Sequence, residues 1–277
     1  MIDPYLDPST GILINKLGIT NQQALDEAEA DLVSVRSVVL QRNPIKGNFD
    51  SVHLKAIHHY LFQDVYPFAG DFRTIDIHKA DVLASRNVLT SFTPHKEVDK
   101  QLNELFRNLA EEKFLQGLGR REFSVKLAAL FSSTNKIHPF REGNGRAQRQ
   151  FTRQLAVGLG YNLHWKAVSK ERLIQASITS AHGDLGMMER LMDEITDTAR
   201  IQPVLTVIDF LERHNYNWND RYIASTTPGQ HYLGSFAGTD GKNFFFHDNE
   251  NRILVGDNKD LATAPKLDEQ ISFTATY

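Results

Sequence analysis

His138, Glu142, Arg146 and Arg149 lie within twelve residues of one another, in the run Ile137-His138-Pro139-Phe140-Arg141-Glu142-Gly143-Asn144-Gly145-Arg146-Ala147-Gln148-Arg149. Pro139 ends a preceding helix, because the residue before a proline is pushed out of the helical region. Gly143 and Gly145 let the backbone approach a ligand closely at the start of the next helix. The first N–H groups of that helix have no intrahelical acceptor and make an anion site. Arg146 and Arg149, three apart, project from one face near that positive end. Two arginines and a helix N-terminus suit a polyphosphate better than a monoanion. Glu142 is placed to hold a Mg²⁺ that the phosphates share. His138, on the other side of the loop, has the chemistry to take a proton from an attacking hydroxyl near neutral pH. Singly, each residue has a bland reading: a histidine before proline is usually a loop residue, and Gly-Asn-Gly is usually a turn. Together and in this order they describe a phosphoryl or nucleotidyl transfer site.

The elements that must position this loop are mostly helical up to residue 200. Thr20 or Asn21 caps a helix whose apolar stripe runs through Ala24, Leu25, Ala28, Leu32 and Val35. Asp50 or Ser51 opens a second, from Leu54 and Ile57 to Leu61 and Phe62, which stops before Tyr66-Pro67-Phe68-Ala69-Gly70. A third carries Val98, Leu102, Leu105, Phe106 and Leu109; a fourth carries Phe123, Leu127, Leu130 and Phe131. The fifth starts near Asn144 and stops at Gly160, and further helices fit 169–181 and 185–199. Arg73-Thr74-Ile75-Asp76-Ile77-His78 alternates apolar and polar residues and, with Val82-Leu83, predicts a short hairpin on the helical body, with Lys79 and Asp81 as a solvated turn at its tip.

Beyond Arg200 the pattern changes. A last helix (Val204, Ile208, Leu211) gives way to short strands at 231–237, 243–247, 252–255 and 270–276, a small antiparallel β-barrel or sandwich. Alternate phenylalanines in Phe244-Phe245-Phe246 read as core, in preference to a nucleic-acid stacking strip. The 277 residues are 41% hydrophobic and 23% charged, a globular composition. There is no cysteine, which excludes disulfides and thiolate chemistry. A net charge of −3 gives no support to general nucleic-acid binding. No signal peptide or membrane span is read from the sequence. His53, His58 and His59 invite a metal reading, but His58 and His59 face different ways and no HExxH pattern exists.

The run 138–149 matches HPFxxGNGRxxR, the signature of the Fic domain, at every position. The resemblance covers roughly residues 5–197, including Pro67-Phe68-Ala69-Gly70-Asp71-Phe72-Arg73, which is similar to the segment leading into the family's flap. Within that family the chain resembles the Fic–OB portion of the Bartonella effector proteins, with Asn217-Trp218-Asn219-Asp220-Arg221 and the strands beyond it fitting the OB part. The resemblance implies a mainly α fold: a helical Fic domain over 1–199 with a β-hairpin flap at about 73–85, then a linker helix and small all-β OB-like domain over 200–277. It places a secretion domain downstream of Tyr277, outside this sequence.

What the resemblance implies agrees with the unaided reading. His138 is the general base for a Ser, Thr or Tyr hydroxyl that attacks the α-phosphorus of ATP. Glu142 binds Mg²⁺. Gly143, Asn144 and Gly145 form the anion hole, and Arg146 and Arg149 hold the β/γ end. Phe140 anchors the loop, and Gln175 is a candidate for the adenine pocket. Thr74, Ile75, Asp76, Ile77, His78, Lys79 and Asp81 form the flap that docks the target as an added strand. Unaltered Glu142 and Gly143 favour AMP over phosphate or phosphocholine. The self-inhibiting pattern [ST]xxxE[GN] is missing, because only Glu142 and Glu250 precede Gly or Asn, and His138 and Phe246 stand four before them. A separate small antitoxin-like protein is therefore expected to block Arg149. The expected target is a host or cellular protein, a small GTPase by analogy of the flap, reached from the bacterial cytoplasm after translocation into a host. Two alternatives remain: a nucleotide-binding interaction module without significant transfer, and a growth-inhibiting toxin acting inside the bacterium.

Overall fold

The computed structural model describes residues 3–83 and 86–276. Among them the order of elements is α1 (Gln22–Arg42), α2 (Ser51–Phe62), β1 (His78–Leu83), β2 (Arg86–Ser91), α3 (Val98–Glu111), α4 (Arg120–Ile137), α5 (Asn144–Gly158), α6 (Lys170–Ala181), α7 (Gly186–Ile195), α8 (Thr198–Arg213) and strands β3 to β7. No helix among the described residues is long and apolar enough to cross a membrane. The chain divides into two compact units, residues 1–118 with 129–160 and residues 119–128 with 161–277.

In the first unit the caps fall where side chains can supply them. Asn21 accepts from the Ala24 N–H at 3.0 Å and Asp50 from the His53 N–H at 2.8 Å. The core joins Leu54, Ile57, Leu61 and Phe62 of α2 to Phe106 of α3, Phe131 of α4 and Phe151 of α5, all at most 3% exposed. The stripe of α1 is rotated from the expected one. Leu25, Glu29, Val33 and Leu40 are buried, while Ala24 is exposed and Val35 is 65% exposed. A glutamate on the buried face shifts the stripe, for a reason that lies in the site.

The hairpin is also displaced from its expected position. β1 pairs antiparallel with β2 in the register His78↔Ser91 to Leu83↔Arg86. Residues 73–77 are not strand but a bent lead-in, held by Arg73 instead of by a ladder. Lys79 and Asp81 sit within β1, opposite Thr90 and Val88, not at a tip. The tip residues Ala84 and Ser85 of the expected flap lie outside the described residues.

In the second unit the helix expected over 185–199 is two. α7 ends at Ile195, and Asp197 caps α8 by accepting from the Ala199 and Arg200 N–H groups. β3 (Ile223–Ser225), β4 (His231–Thr239), β5 (Asn243–Asp248), β6 (Ile253–Asp257) and β7 (Gln270–Thr274) form one sheet in the order β3-β6-β5-β4-β7. Expected as antiparallel, the sheet is mixed, because β3 runs parallel to β6. Three residues are too few for a strand to be read from sequence. This five-stranded sheet is consistent with an OB-like extension. Phe244 and Phe246 are fully buried with Phe236, Leu254, Ile271 and Phe273, and Phe245, on the other face, meets Phe210 of α8 at 5.8 Å. A buried bidentate ion pair, Arg172–Glu194 at 3.0 Å, ties α6 to α7, and Arg172 also donates to the Ile223 carbonyl.

Candidate active site

The loop between α4 and α5 is closed on itself before any ligand arrives. Asn144 accepts from the Phe140 N–H at 2.8 Å and donates to the Phe140 carbonyl at 2.7 Å. Its side chain, 3% exposed, is thus engaged by the loop, and its backbone N–H is the group left for an anion. Phe140 is 1% exposed and stacks on His58 at 3.8 Å. His58 itself is fixed in one tautomer. Its Nδ1 accepts from the Gly70 N–H at 2.9 Å, so its Nε2–H donates to the Glu142 carbonyl at 2.9 Å. Desolvation dominates its titration and pushes it down to about 3.

Gly143 starts α5 at φ +80, with no side-chain cap on the helix. A Cβ at Gly143 would stand 2.2 Å from Phe62, so glycine is required both by conformation and by space. With no cap, the first N–H groups of α5 stay open, at the positive end of the helix. Arg149 folds back along the helix until its Nη1 would lie 3.4 Å from a Cβ at Gly145. Among the described residues no carboxylate pairs with it, and burial and Arg146 press it down to about 10. An uncapped helix start beside an unpaired guanidinium is an anion site.

Arg146 is held differently. Its Nη1 donates to Glu29 of α1, its Nη2 donates to Glu142 at 3.1 Å, and the guanidinium lies 4.7 Å over the Phe62 ring. The Tyr66 hydroxyl donates to the other oxygen of Glu29. Glu142, whose side chain is 42% exposed, uses one oxygen for the Gly143 N–H and for Arg146. Its second oxygen is available to a hard cation. Among the described residues no group of three or more His, Cys, Asp or Glu could hold a metal. One carboxylate with free valence suits Mg²⁺, which takes few protein ligands and shares phosphates and water.

His138 closes α4 at φ +49, still donating its N–H to the Thr134 carbonyl at 3.0 Å. The imidazole stacks on Phe92 at 3.8 Å and donates from Nδ1 to the Asn135 carbonyl at 3.1 Å. That bond leaves Nε2 as the proton acceptor. Desolvation, with Arg73 and Lys79 nearby, lowers the group to about 4, so it is neutral at physiological pH.

Arg73 holds the lead-in to this arrangement. Only 2% exposed, it donates to the carbonyls of Ile75 (2.7 Å), His138 (2.8 Å), Ile137 (3.2 Å) and Thr93, and its own N–H donates to Pro139 at 2.8 Å. A groove of about 510 Å³ runs between hairpin and loop. Ile75, Asp76, Ile77, His78 and Lys79 line one side of it, and His138, Arg141 and Glu142 the other. Asp76 accepts from the N–H and ring of His95, and Arg141 pairs with Asp3 at 2.8 Å. Thr74 is not among the lining residues; it bonds the Tyr5 hydroxyl through its N–H at 3.0 Å. Gln175 belongs to the second unit, where it donates to Glu171 at 2.6 Å.

The structure therefore gathers His138, Glu142, Gly143, Asn144, Gly145, Arg146 and Arg149 in one loop and helix start. Sequence reasoning missed Glu29, His58, Tyr66 and Arg73. His58 had a signal, an ionisable group on the apolar stripe of Leu54, Ile57 and Leu61. Arg73 had none, because its partners are backbone carbonyls.

Comparison with known proteins agrees with this geometry. The family model described as "Fic/DOC family" matches residues 48–156. Protein adenylyltransferase VbhT of Bartonella schoenbuchensis is 35% identical over 251 residues, 86% of this chain and 50% of that protein. The probable protein adenylyltransferase Fic of Escherichia coli K12 is 35% identical over 197 residues, 71% of this chain and 94% of that protein. The chain thus spans about half the length of the Bartonella relative. Among solved structures, the type IV secretion system effector protein BepA matches with a TM-score of 0.88 at 30% identity, covering 99% of this chain and 96% of that one. The BepC protein of Bartonella tribocorum with bound AMPPNP matches with a TM-score of 0.62 at 28% identity, covering 70% of this chain and 96% of that one. With the motif loop, the uncapped helix and near full-length coverage of the E. coli relative, the chain belongs to the Fic/DOC family.

Proposed function

We propose that this protein transfers AMP from ATP to a Ser, Thr or Tyr hydroxyl of another protein, releasing pyrophosphate. The observation that carries the reading is one loop that joins a neutral histidine with a free Nε2 to an uncapped helix start with an unpaired arginine. His138 takes the hydroxyl proton as the target oxygen bonds to the α-phosphorus, and the bond from that phosphorus to the β-phosphate oxygen breaks. The open N–H groups of Asn144 and Gly145 receive phosphate oxygens, and Arg146 and Arg149 hold the β/γ end. Glu142 would hold Mg²⁺, which supplies charge neutralisation on the phosphates. AMPPNP in the BepC structure and the adenylyltransferase names of the curated relatives support a nucleotide and an AMP-transfer role for this chain.

The target docks in this reading along the groove beside β1, adding a strand to the hairpin. In this reading residues 1–199 are the Fic domain and 200–277 the OB-like extension. Relatedness to translocated effectors supports a host-cell target; the choice of a small GTPase rests on the resemblance of the flap alone. A separate antitoxin-like protein would act by placing a carboxylate on Arg149, which has no carboxylate partner among the described residues. The test is transfer of ³²P from α-labelled and γ-labelled ATP into cell lysates, with His138→Ala alongside. A band from α-labelled ATP alone, absent in the variant, is expected. Label from γ-labelled ATP would indicate a kinase-like reaction, and no His138-dependent label from either would indicate a binding module.

A further inference from the structure

We propose that Glu29, outside the motif, is a positioning residue that presets the plane of Arg146 for the polyphosphate; this rests on the nucleotide reading above. Glu29 is 8% exposed on the buried face of α1, an expensive place for a carboxylate unless it is paired. Both of its oxygens are engaged, one by Arg146 and one by the Tyr66 hydroxyl. Tyr66 is itself locked, 2% exposed and stacked on Phe68 at 4.8 Å. Phe62 lies beneath the guanidinium at 4.7 Å. Arg146 is thus fixed through Nη1 and its flat face by groups that cannot move.

Its second contact is of another kind. Nη2 reaches Glu142, whose side chain is 42% exposed and whose second oxygen has room to take a cation. A guanidinium offers planar donors, so holding Nη1 leaves Nη2 aimed where Glu142 now sits. When Glu142 turns to a cation, Nη2 is free for a phosphate oxygen without any reorientation of Arg146. Without Glu29 the guanidinium is free to collapse onto Glu142, engaging the metal carboxylate and the phosphate donor together. The charge of Glu29 therefore strengthens polyphosphate binding, although it is negative.

The test is a double-mutant cycle read by calorimetric titration with AMPPNP, with and without Mg²⁺, on wild type, Glu29→Gln, Arg146→Ala and the double variant. Glu29→Gln is expected to weaken binding roughly tenfold, the scale of one charge-assisted hydrogen bond, and to change little once Arg146 is gone. Tyr66→Phe is expected to give a smaller loss in the same direction, and it carries the test if Glu29→Gln does not fold. Unchanged or tighter binding in Glu29→Gln, or an equal loss with and without Arg146, overturns the proposal. Wild type that binds no AMPPNP refutes the nucleotide reading beneath it. A cycle that behaves as expected beside lysates without label refutes AMP transfer alone.

Discussion

Replacing Gly143 by alanine sets conformation and packing against each other at the centre of the loop. At φ +80 an alanine is in the left-handed region, which costs roughly 1–2 kcal/mol. Its Cβ would lie 2.2, 2.4 and 2.9 Å from three atoms of the Phe62 ring. That ring cannot retreat, being fully buried, 4.6 Å from His58 and 4.7 Å beneath Arg146. Overpacking of this kind costs about 1–3 kcal/mol, which gives roughly 2–5 kcal/mol in all if the backbone stays in place. The alternative is for the loop to lift by about 1 Å, a misplacement on the scale that lowers rates by about a hundredfold. Thermal unfolding and transfer from α-labelled ATP, measured on the same preparation, read both routes. A midpoint lowered by roughly 4–20 °C is expected if strain is retained, and a large rate loss with a near-normal midpoint if the loop moves. Gly143→Ala with both quantities close to wild type would refute the claim that Phe62 is the rigid floor of the site.

Two further outcomes follow from buried groups. Arg73→Lys cannot satisfy the Ile75, Thr93, Ile137 and His138 carbonyls together, and each buried carbonyl left unpaired costs about 1–3 kcal/mol; hydrogen exchange at residues 136–140 and 74–77 should rise, and unchanged protection would sink the clamp. His58 and His138 have folded values lowered to about 3 and about 4, against an ordinary 6.5. The unfolded chain therefore binds more protons below pH 6.5, and the stability these groups contribute is complete above that pH and lost progressively below it. For His58 alone, at 0% exposure, the loss by pH 4.5 is about 3 kcal/mol. Urea titrations between pH 7 and 4.5 should show that slope, and His58→Asn should flatten it; an equal slope in the variant would show that other groups are responsible.

The helices and the loop were legible because their signals are local. Asn21 and Asp50 cap where capping side chains are expected, and the glycines of 143–145 mark a helix start that lacks such a cap. Legibility failed where a residue acts across the chain. The bond from Glu29 to Arg146 joins residues 117 apart and puts a charge where a periodicity argument rejects one. Arg73 turned an alternating stretch into a bent lead-in because its donors outcompete a ladder, and strand β1 began only at His78. β3, three residues long, exists through its parallel partner β6 and the Arg172 bond to the Ile223 carbonyl, neither visible locally.

The single guanidinium of Arg73 has a consequence for how such a protein can change over generations. It fastens Ile75 and Thr93, on either side of the hairpin, to the backbone of Ile137 and His138. Between those two moorings the residues that do not act on His138 are open to exchange, whereas Phe92, stacked on it at 3.8 Å, and Lys79, whose charge acts on it, are not. If the hairpin docks the target as proposed, substitutions there would alter which surface is recognised while the Arg73 bonds keep the His138 backbone in place. In the proposed reading recognition would thereby diversify under selection from a changing partner while the backbone of His138 is held where it is.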